Sequence, residues 1–278
     1  MQSSLHSVAG ERAYASLPGL EVRLDGGVLR LRLDKPEKRN AVDDEMMAGL
    51  VAAVAAAEED EAVRVIVIDG AGEHFCSGAD IVARNAGDDR PRVGSIQRRV
   101  PHQAHRLTAL LTSVQVPVVC VVRGWAAGLG FQMALAADVT LAAADARFWE
   151  PFVERGFTPD SGATWMLDRR VGPVRARALL LLGRKLSGTE AADWGLIHAA
   201  HPAAALDGEV ATVVDRLAGG PTVALGLTKW LLHEAGSASL DESMRQEAFG
   251  LELSSRSEDF REGFAAFREK REPEFRGR

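Results

Sequence analysis

Two apolar runs, each followed by a turn of small residues, most constrain what this chain can fold into. Residues 116–122 read Val-Pro-Val-Val-Cys-Val-Val and lead into Arg-Gly-Trp-Ala-Ala-Gly-Leu-Gly at 123–130. About fifty residues earlier, the run at 63–68 leads into a glycine-containing segment that ends at Asp80. Short apolar runs bounded by glycine are typical of buried strands. Because these predicted strands alternate with helical patterns along the chain, we predict an α/β fold with right-handed crossovers.

The turn at 124–130 is predicted to run directly into a helix that begins near Leu129. The first N–H groups of a helix have no intrahelical acceptor, and the helix dipole places partial positive charge there. Two such turns, one after each strand, can supply two backbone amides that converge on one oxygen atom. That geometry is an oxyanion hole.

The remaining pattern gives the organisation of the chain. Residues 1–18 show no period and are predicted to be a flexible leader, and Gly26-Gly27 joins two alternating runs into a hairpin. Asp43 is predicted to cap a helix that continues to about Glu59, and residues 81–99 are predicted to be a loop. The other predicted helices cover residues 101–113, 129–137, 173–182, 187–194, 202–218, 221–235, 240–255 and 257–269, with a short strand from residue 139.

Composition excludes several classes of protein. The chain has 278 residues and a net charge of −6, which argues against nucleic acid as a partner. No apolar stretch approaches the ~20 residues that span a bilayer, and residues 1–7 do not resemble a secretory signal. The two cysteines, Cys76 and Cys120, lie in apolar contexts and are interpreted as reduced core residues. A cytoplasmic protein without membrane contact is expected.

Several segments, in this order and at these spacings, resemble the enoyl-CoA hydratase/isomerase (crotonase) superfamily over most of the chain. They are Phe-Cys-Ser-Gly-Ala-Asp at 75–80, Gly-Trp-Ala-Ala-Gly-Leu-Gly-Phe-Gln at 124–132, and the stretches at 35–42, 156–165 and 257–275. The resemblance implies the crotonase (ClpP-like) fold, an α/β spiral of ββα units with a helical C-terminal trimerisation region. Residues 19–200 would form the spiral core and residues 201–278 the helical region. It also implies a homo-oligomer, either a trimer or a dimer of trimers.

The same resemblance implies an acyl-CoA thioester substrate whose carbonyl oxygen gains negative charge during reaction. By position it assigns the two oxyanion donors to the N–H groups of Ser77 and Leu129. Gly78, Gly128 and Gly130 would let the backbone approach the ligand. The alternative is that these glycines only shape tight turns in an α/β core.

Family hydratases carry two glutamates that activate water and deliver a proton. The matching positions here hold Gln132 and Phe152, neither of which is an acid or a base. Phe152 would also narrow and dry the space where water attacks. Hydration by the usual mechanism is therefore not expected.

Asp160 is the predicted acid/base. Its segment, Pro-Asp-Ser-Gly-Ala-Thr-Trp at 159–165, resembles the one in which family isomerases, including epoxyphenylacetyl-CoA isomerases, hold their single acidic residue. One carboxylate suffices for isomerisation, because it can collect a proton and return it two carbons away. The alternative role for Asp160 is a helix N-cap, and both roles can coexist. Glu150 and Glu154 are the competing carboxylates.

Substrate contacts follow from the resemblance as well. Lys38, Arg39 and Lys270 would contact the CoA phosphates, and the adenine would lie against the backbone of residues 79–81. The complete predicted substrate- and CoA-binding set is Lys38, Arg39, Ala79, Asp80, Ile81, Gly128, Phe152, Trp165 and Lys270. No metal and no cofactor are expected, because CoA is part of the substrate and His102 and His105 have no third ligand.

The predicted function is double-bond isomerisation of an enoyl-CoA, with Asp160 as acid/base. Three alternatives remain open. They are an enoyl-CoA hydratase with a non-standard acid/base set, a CoA-ester hydrolase or ring-opening enzyme that uses the same oxyanion hole, and a non-catalytic acyl-CoA-binding homologue.

Overall fold

The computed structural model describes residues 14–80 and 92–278. The strands within these residues are β1 (Leu20–Asp25), β2 (Val28–Leu33), β3 (Val65–Gly70), β4 (Val118–Val122), β5 (Trp125–Ala127), β6 (Val139–Ala143), β7 (Arg147–Trp149), β8 (Leu186–Ser187) and β9 (Ala199–His201). The predicted hairpin is confirmed: β1 and β2 are antiparallel, and Asp25 pairs with Val28 across the glycine turn.

Six strands form the main sheet in the order β1-β2-β3-β4-β6-β9. All neighbours after the β1–β2 hairpin are parallel; Ile68 of β3, for example, lies opposite Cys120 of β4. The apolar runs of β3 and β4 are buried, as their sequence predicted. Because β3 and β4 are parallel neighbours, the turns that follow them leave the same edge of the sheet.

Three short strands form a second sheet that the sequence analysis missed. Its order is β5-β7-β8, with β5 and β7 parallel and β7 and β8 antiparallel. These strands have only two or three residues each, too few to express a period of two. They hold the turn after β4 in place.

The helices of the described residues agree with most of the predicted ones. They are α1 (Asp44–Ala57), α2 (Ser95–Arg99), α3 (Ala104–Ser113), α4 (Leu129–Ala136), α5 (Ala163–Leu181), α6 (Gly188–Asp193), α7 (Ala203–Ala218), α8 (Thr222–Ala235), α9 (Leu240–Ser254) and α10 (Glu258–Glu269). Single 3₁₀ turns lie at Pro36–Lys38, Val100–His102 and Val153–Arg155.

Side-chain caps explain where several helices begin. The Asp43 carboxylate accepts the Met46 N–H at 2.9 Å, as predicted for α1. Ser239 and Ser257 cap α9 and α10 in the same way. The helix predicted at residues 173–182 matches the part of α5 that follows the kink at Gly172, whereas the part before the kink, which begins at Ala163, was not predicted.

The predicted leader at residues 1–18 and the predicted loop at residues 81–99 both need correction. Residues 14–18 of the predicted leader are tied down, since Leu17 and Leu20 exchange backbone hydrogen bonds and the Val22 N–H donates to Ser16 Oγ at 2.9 Å. The predicted loop at 81–99 contains α2, whereas residues 1–13 and 81–91 lie outside the described residues. None of the helices in the described ranges combines the length and apolarity needed to cross a bilayer.

Candidate active site

The turns that follow β3 and β4 lie side by side and are hydrogen-bonded to each other. The Phe75 N–H donates to the Arg123 carbonyl at 2.8 Å, and the Cys76 N–H donates to the Trp125 carbonyl at 2.9 Å. In return, the Ala127 N–H donates to the Cys76 carbonyl at 2.9 Å. Together these bonds bring the two glycine-containing segments, 75–80 and 124–130, into one ladder.

The N–H of Ser77 is already paired within the protein. It donates to the Arg39 carbonyl at 2.9 Å, and the Ser77 hydroxyl donates to the Lys38 carbonyl at 3.2 Å. An N–H in such a bond is available to a substrate oxygen only if that bond breaks. The assignment of Ser77 as an oxyanion donor is therefore corrected: Ser77 ties the first turn to residues 38–39.

Ala79 carries the free N–H of this turn. The neighbouring Gly78 N–H donates to Cys76 Sγ at 3.4 Å, and the Asp80 N–H donates to the Val42 carbonyl at 2.9 Å. Within residues 14–80 and 92–278, the Ala79 N–H meets no acceptor. This amide, which the sequence analysis placed only near the adenine, is the one that a ligand can use.

Leu129 supplies the matching amide on the second turn. It is the first residue of α4, so its N–H has no intrahelical acceptor. Gly128 precedes it with φ +51°, and the Gly128 N–H donates to the Trp149 carbonyl at 2.9 Å. The short sheet thus fixes the direction in which α4 begins.

Two glycines permit the close approach of these turns. A Cβ placed on Gly78 would lie 3.1 Å from the Ala127 carbonyl oxygen and 3.9 Å from the Leu129 nitrogen. A Cβ placed on Gly130 would lie 2.6 Å from the Cys76 carbonyl oxygen, closer than real Cβ atoms come. A side chain at either position would therefore press on the neighbouring turn.

Both turns line one cavity together with Phe152, Phe157 and Asp160. The two phenylalanine rings meet edge to face, with centroids 5.5 Å apart and an interplanar angle of 84°. Phe152 is buried, at 4% exposure, whereas Asp160 is exposed. The described residues thus give this cavity two backbone turns, an apolar wall, the Asp160 carboxylate and the Arg155 guanidinium.

Asp160 is not a helix cap. Helix α5 begins at Ala163, its N-cap is Gly162, and no side chain caps it. Asp160 contributes only its carbonyl, which accepts the Ala163 N–H at 3.0 Å. Ser161 follows with φ +50°, a strained conformation for a residue with a side chain. The capping alternative is therefore wrong, and the Asp160 carboxylate is left for the cavity.

Glu150 forms a buried pair with Gln132. The Gln132 Nε2 donates to Glu150 Oε2 at 3.3 Å, and both side chains are 0% exposed. Burial raises the pKa of Glu150 well above that of an ordinary carboxyl, and the negative charge of Asp160 raises it further. Both effects favour the protonated, neutral form of Glu150. Its competitor Glu154 is exposed and lies against Gly183.

Some of the predicted CoA contacts lie beside the first turn, and others lie elsewhere in the protein. Lys38 and Arg39 lie beside the first turn, and Lys38 Nζ is 3.2 Å from an Asp80 carboxylate oxygen. Trp165 does not line the cavity; the residue is 48% exposed, and the Arg169 guanidinium lies 4.0 Å from the centroid of its ring. Lys270 is exposed at the C-cap of α10. Ile81 lies outside the described residues.

The remaining candidates have structural explanations. His102 and His105 are both exposed, in keeping with surface residues. Cys76 and Cys120 are both buried. Burial raises the pKa of the Cys76 thiol to about 12, so it does not form a thiolate at neutral pH and is not a nucleophile.

Comparison with known proteins gives consistent matches along the chain. The sequence profile of the enoyl-CoA hydratase/isomerase family matches residues 23–278. 1,2-Epoxyphenylacetyl-CoA isomerase from Escherichia coli is 36% identical over 92% of this chain and 97% of its own. A probable enoyl-CoA hydratase from Rhodobacter capsulatus is 36% identical over 93% of this chain and 98% of its own. The solved structure of an enoyl-CoA hydratase from Polaromonas matches with a TM-score of 0.86 at 31% identity, over 92% of this chain and 99% of its own.

Proposed function

Because the chain belongs to the enoyl-CoA hydratase/isomerase family and has its crotonase fold, we propose that it isomerises the double bond of an enoyl-CoA thioester, with Asp160 as the acid/base. The observation that carries the proposal is one cavity lined by Asp160, Ala79 and Leu129, where the N–H groups of Ala79 and Leu129 have no acceptor within residues 14–80 and 92–278. Family membership implies an acyl-CoA substrate. The choice of isomerisation rests on the residues at the site.

The amides of Ala79 and Leu129 would bind the thioester oxygen. That oxygen gains negative charge when a proton leaves the acyl chain, and two fixed N–H donors stabilise this charge without rearranging. In other enzymes, loss of one such donor costs ~3 kcal/mol of transition-state stabilisation. Support for this pair comes from the hydrogen-bond partners along the first turn, which leave Ala79 rather than Ser77 available.

Asp160 would remove a proton from C2 or C4 of the acyl chain. The C–H bond breaks, its electron pair delocalises towards the thioester oxygen, and the proton is held on the carboxyl group. The resulting dienolate is then protonated two carbons away by the same group, which returns Asp160 to its ionised form. One carboxylate is sufficient because it is first the base and then the acid.

Hydration has less support at this site. Gln132 and Phe152 occupy the positions where family hydratases carry glutamates, and Phe152 is buried in the wall of the cavity. An apolar ring at that position cannot itself activate a water molecule.

CoA recognition and assembly complete the proposal. Lys38 and Arg39 would bind phosphates beside the first turn, and Lys270 would do so from α10. Large apolar side chains are exposed on the C-terminal helices, including Leu232, Phe249 and Leu251. Exposed apolar surface of this kind favours burial against another protein surface, which supports a homo-oligomer.

The proposal is tested by incubating the protein with a 3-enoyl-CoA in D₂O and identifying the product by mass spectrometry. A conjugated 2-enoyl-CoA is expected, with deuterium wherever the Asp160 proton exchanges with solvent. Asp160→Asn should abolish it, whereas the control Asp168→Asn, at an exposed position on α5, should not. Addition of water would instead indicate a hydratase, free CoA a hydrolase, and binding without turnover a non-catalytic homologue.

A further inference from the structure

Glu150 is a buried titratable group that the proposed mechanism does not use. It directly follows β7, after Trp149, whose carbonyl accepts the Gly128 N–H and so fixes the start of α4. Its Oε2 accepts a hydrogen bond from Gln132 on the first turn of α4. In the described parts of the chain, Glu150 Oε1 has no hydrogen-bond partner. Glu150 therefore lies directly behind the turn that presents the Leu129 amide.

The side chain of Glu150 lies behind the cavity rather than in it. Asp160 and Phe152 line the cavity, whereas Glu150 is completely buried against Gln132. A group in that position cannot take a proton from the acyl chain directly. Any effect of Glu150 on the reaction has to pass through the electric field at Asp160 and at the two amides.

Few charged groups of the described residues lie around Glu150. Within residues 14–80 and 92–278, Asp160 in the loop before α5 is the charged group that raises the pKa of Glu150, and Gln132 on α4 is neutral. The Arg155 guanidinium and the Lys185 ammonium lie nearby but over the Trp149 ring, 5.8 and 4.4 Å from its centroid. Without a cation in direct contact, a buried carboxyl keeps its proton.

We propose that Glu150 is a positioning residue that keeps its proton throughout turnover, so that the negative charge of Asp160, which lines the cavity together with Arg155, passes to the thioester oxygen and back without a second carboxylate charge behind it. This inference rests on the proposed isomerase function. In the first step Asp160 gains the proton and becomes neutral while the oxygen becomes negative, so the total charge of the site does not change. The Gln132 amide donates to Glu150 Oε2 and fixes the orientation of the carboxyl group; this bond by itself lowers the pKa of Glu150, and burial outweighs it.

Loss of the Glu150 proton at high pH would place a second negative charge near Asp160, from which negative charge moves to the thioester oxygen. Like charges a few ångströms apart in a protein interior repel strongly. The second charge would oppose the movement of negative charge onto the thioester oxygen, so activity should fall on the alkaline side. We expect kcat to fall by about tenfold or more once Glu150 ionises.

Two substitutions separate this role from simple packing. Glu150→Ala removes the partner of Gln132 and should lower kcat by about tenfold with little change in KM. Glu150→Gln keeps the shape and hydrogen bonding of the neutral acid but has no proton to lose. It should restore kcat to within about threefold of wild type and abolish the alkaline decline. Glu154→Gln, at the exposed neighbour, is the matched control and should keep the wild-type pH profile.

Isotope-edited infrared spectroscopy with ¹³C-labelled glutamate tests the proton itself and needs no turnover. A protonated carboxyl band should be present at neutral pH in the wild type and in Asp160→Asn, and absent in Glu150→Gln. Absence of the band in the wild type would overturn the proposal, as would a Glu150→Gln profile with the wild-type alkaline decline. Glu150→Gln as inactive as Asp160→Asn would also overturn it, because Glu150 would then be an acid/base itself. Failure of the isomerase function would be recognised separately, by full activity of Asp160→Asn.

Discussion

Gly78→Ala is the substitution that tests the two-amide arrangement most sharply. Gly78 has φ +105°, and the peptide that follows it carries the Ala79 N–H. An alanine at this position is strained, by ~1–3 kcal/mol, and its Cβ would lie 3.1 Å from the Ala127 carbonyl oxygen and 3.9 Å from the Leu129 nitrogen. Relief of the backbone strain, or of the 3.1 Å contact with the Ala127 carbonyl oxygen, is expected to rotate the peptide that carries the Ala79 N–H.

If this rotation removes one donor, the transition state loses ~3 kcal/mol, which corresponds to roughly a hundredfold decrease in kcat. Because the donor binds developing charge, kcat and kcat/KM should fall together. The assay is the appearance of conjugated enoyl-CoA from a 3-enoyl-CoA, measured beside the free energy of unfolding in urea.

Gly195→Ala is the matched control. Gly195 has φ +75°, and a Cβ there would meet no described atom within 4 Å, so it adds a similar backbone strain far from the two turns. It should lose stability like Gly78→Ala but keep kcat. Equal kcat values for the two variants would refute the assignment of the Ala79 amide.

Three further predictions concern packing, protonation and thiol reactivity. Gly130→Ala should lower the free energy of unfolding by ~1–3 kcal/mol, because its Cβ would lie 2.6 Å from the Cys76 carbonyl oxygen. The control Gly208→Ala, in open space on α7, should instead raise the free energy of unfolding by ~0.5–1 kcal/mol. Urea unfolding measures both variants, and equal effects would contradict the close contact at Gly130. The raised pKa of Glu150 means that the folded protein holds a proton which the unfolded chain releases above pH ~4.3. The stability that this proton contributes is complete below that pH and is lost as the pH rises towards the folded-state pKa of Glu150. The stability of Glu150→Gln relative to wild type should therefore increase from pH 5 to pH 8. A constant difference would show that Glu150 is ionised in the folded protein. Burial of Cys76 and Cys120 predicts that a disulfide reagent modifies neither thiol in the folded protein and both after unfolding; rapid modification of the native protein would contradict it.

Elements long enough to express a pattern could be predicted from the sequence. The hairpin at Gly26-Gly27, the capped helix after Asp43 and the C-terminal helices all follow from local periodicity and from capping residues. Strands β5, β7 and β8 could not, because two or three residues carry no period and each strand is defined by its partner. Those short strands nevertheless fix the start of α4, and so one half of the site.

The error at Ser77 has a physical cause. In an extended segment, which N–H remains free depends on which neighbouring chain supplies an acceptor. Resemblance of the 75–80 motif located the turn correctly but did not show that residue 39 approaches it and takes the Ser77 N–H. A prediction of the Ala79 amide requires knowledge of that tertiary contact.

Burial of Glu150 lay equally beyond the sequence. Its neighbours, tryptophan and proline, do not reveal whether a glutamate faces solvent or the core. Only the packing of β7 against α4 brings it to Gln132. Asp160, in contrast, was identified from its motif, and the structure removed its alternative role as a cap.

The central claim, that the single carboxylate of Asp160 moves the proton, is tested most directly by following an isotope label. A 3-enoyl-CoA deuterated at C2 would be converted in ordinary water, and the conjugated product analysed for deuterium at C4 by NMR. The account predicts that part of the label is carried from C2 to C4 by the wild type and that Asp160→Asn forms no product. Product formation by Asp160→Asn at the wild-type rate would contradict it.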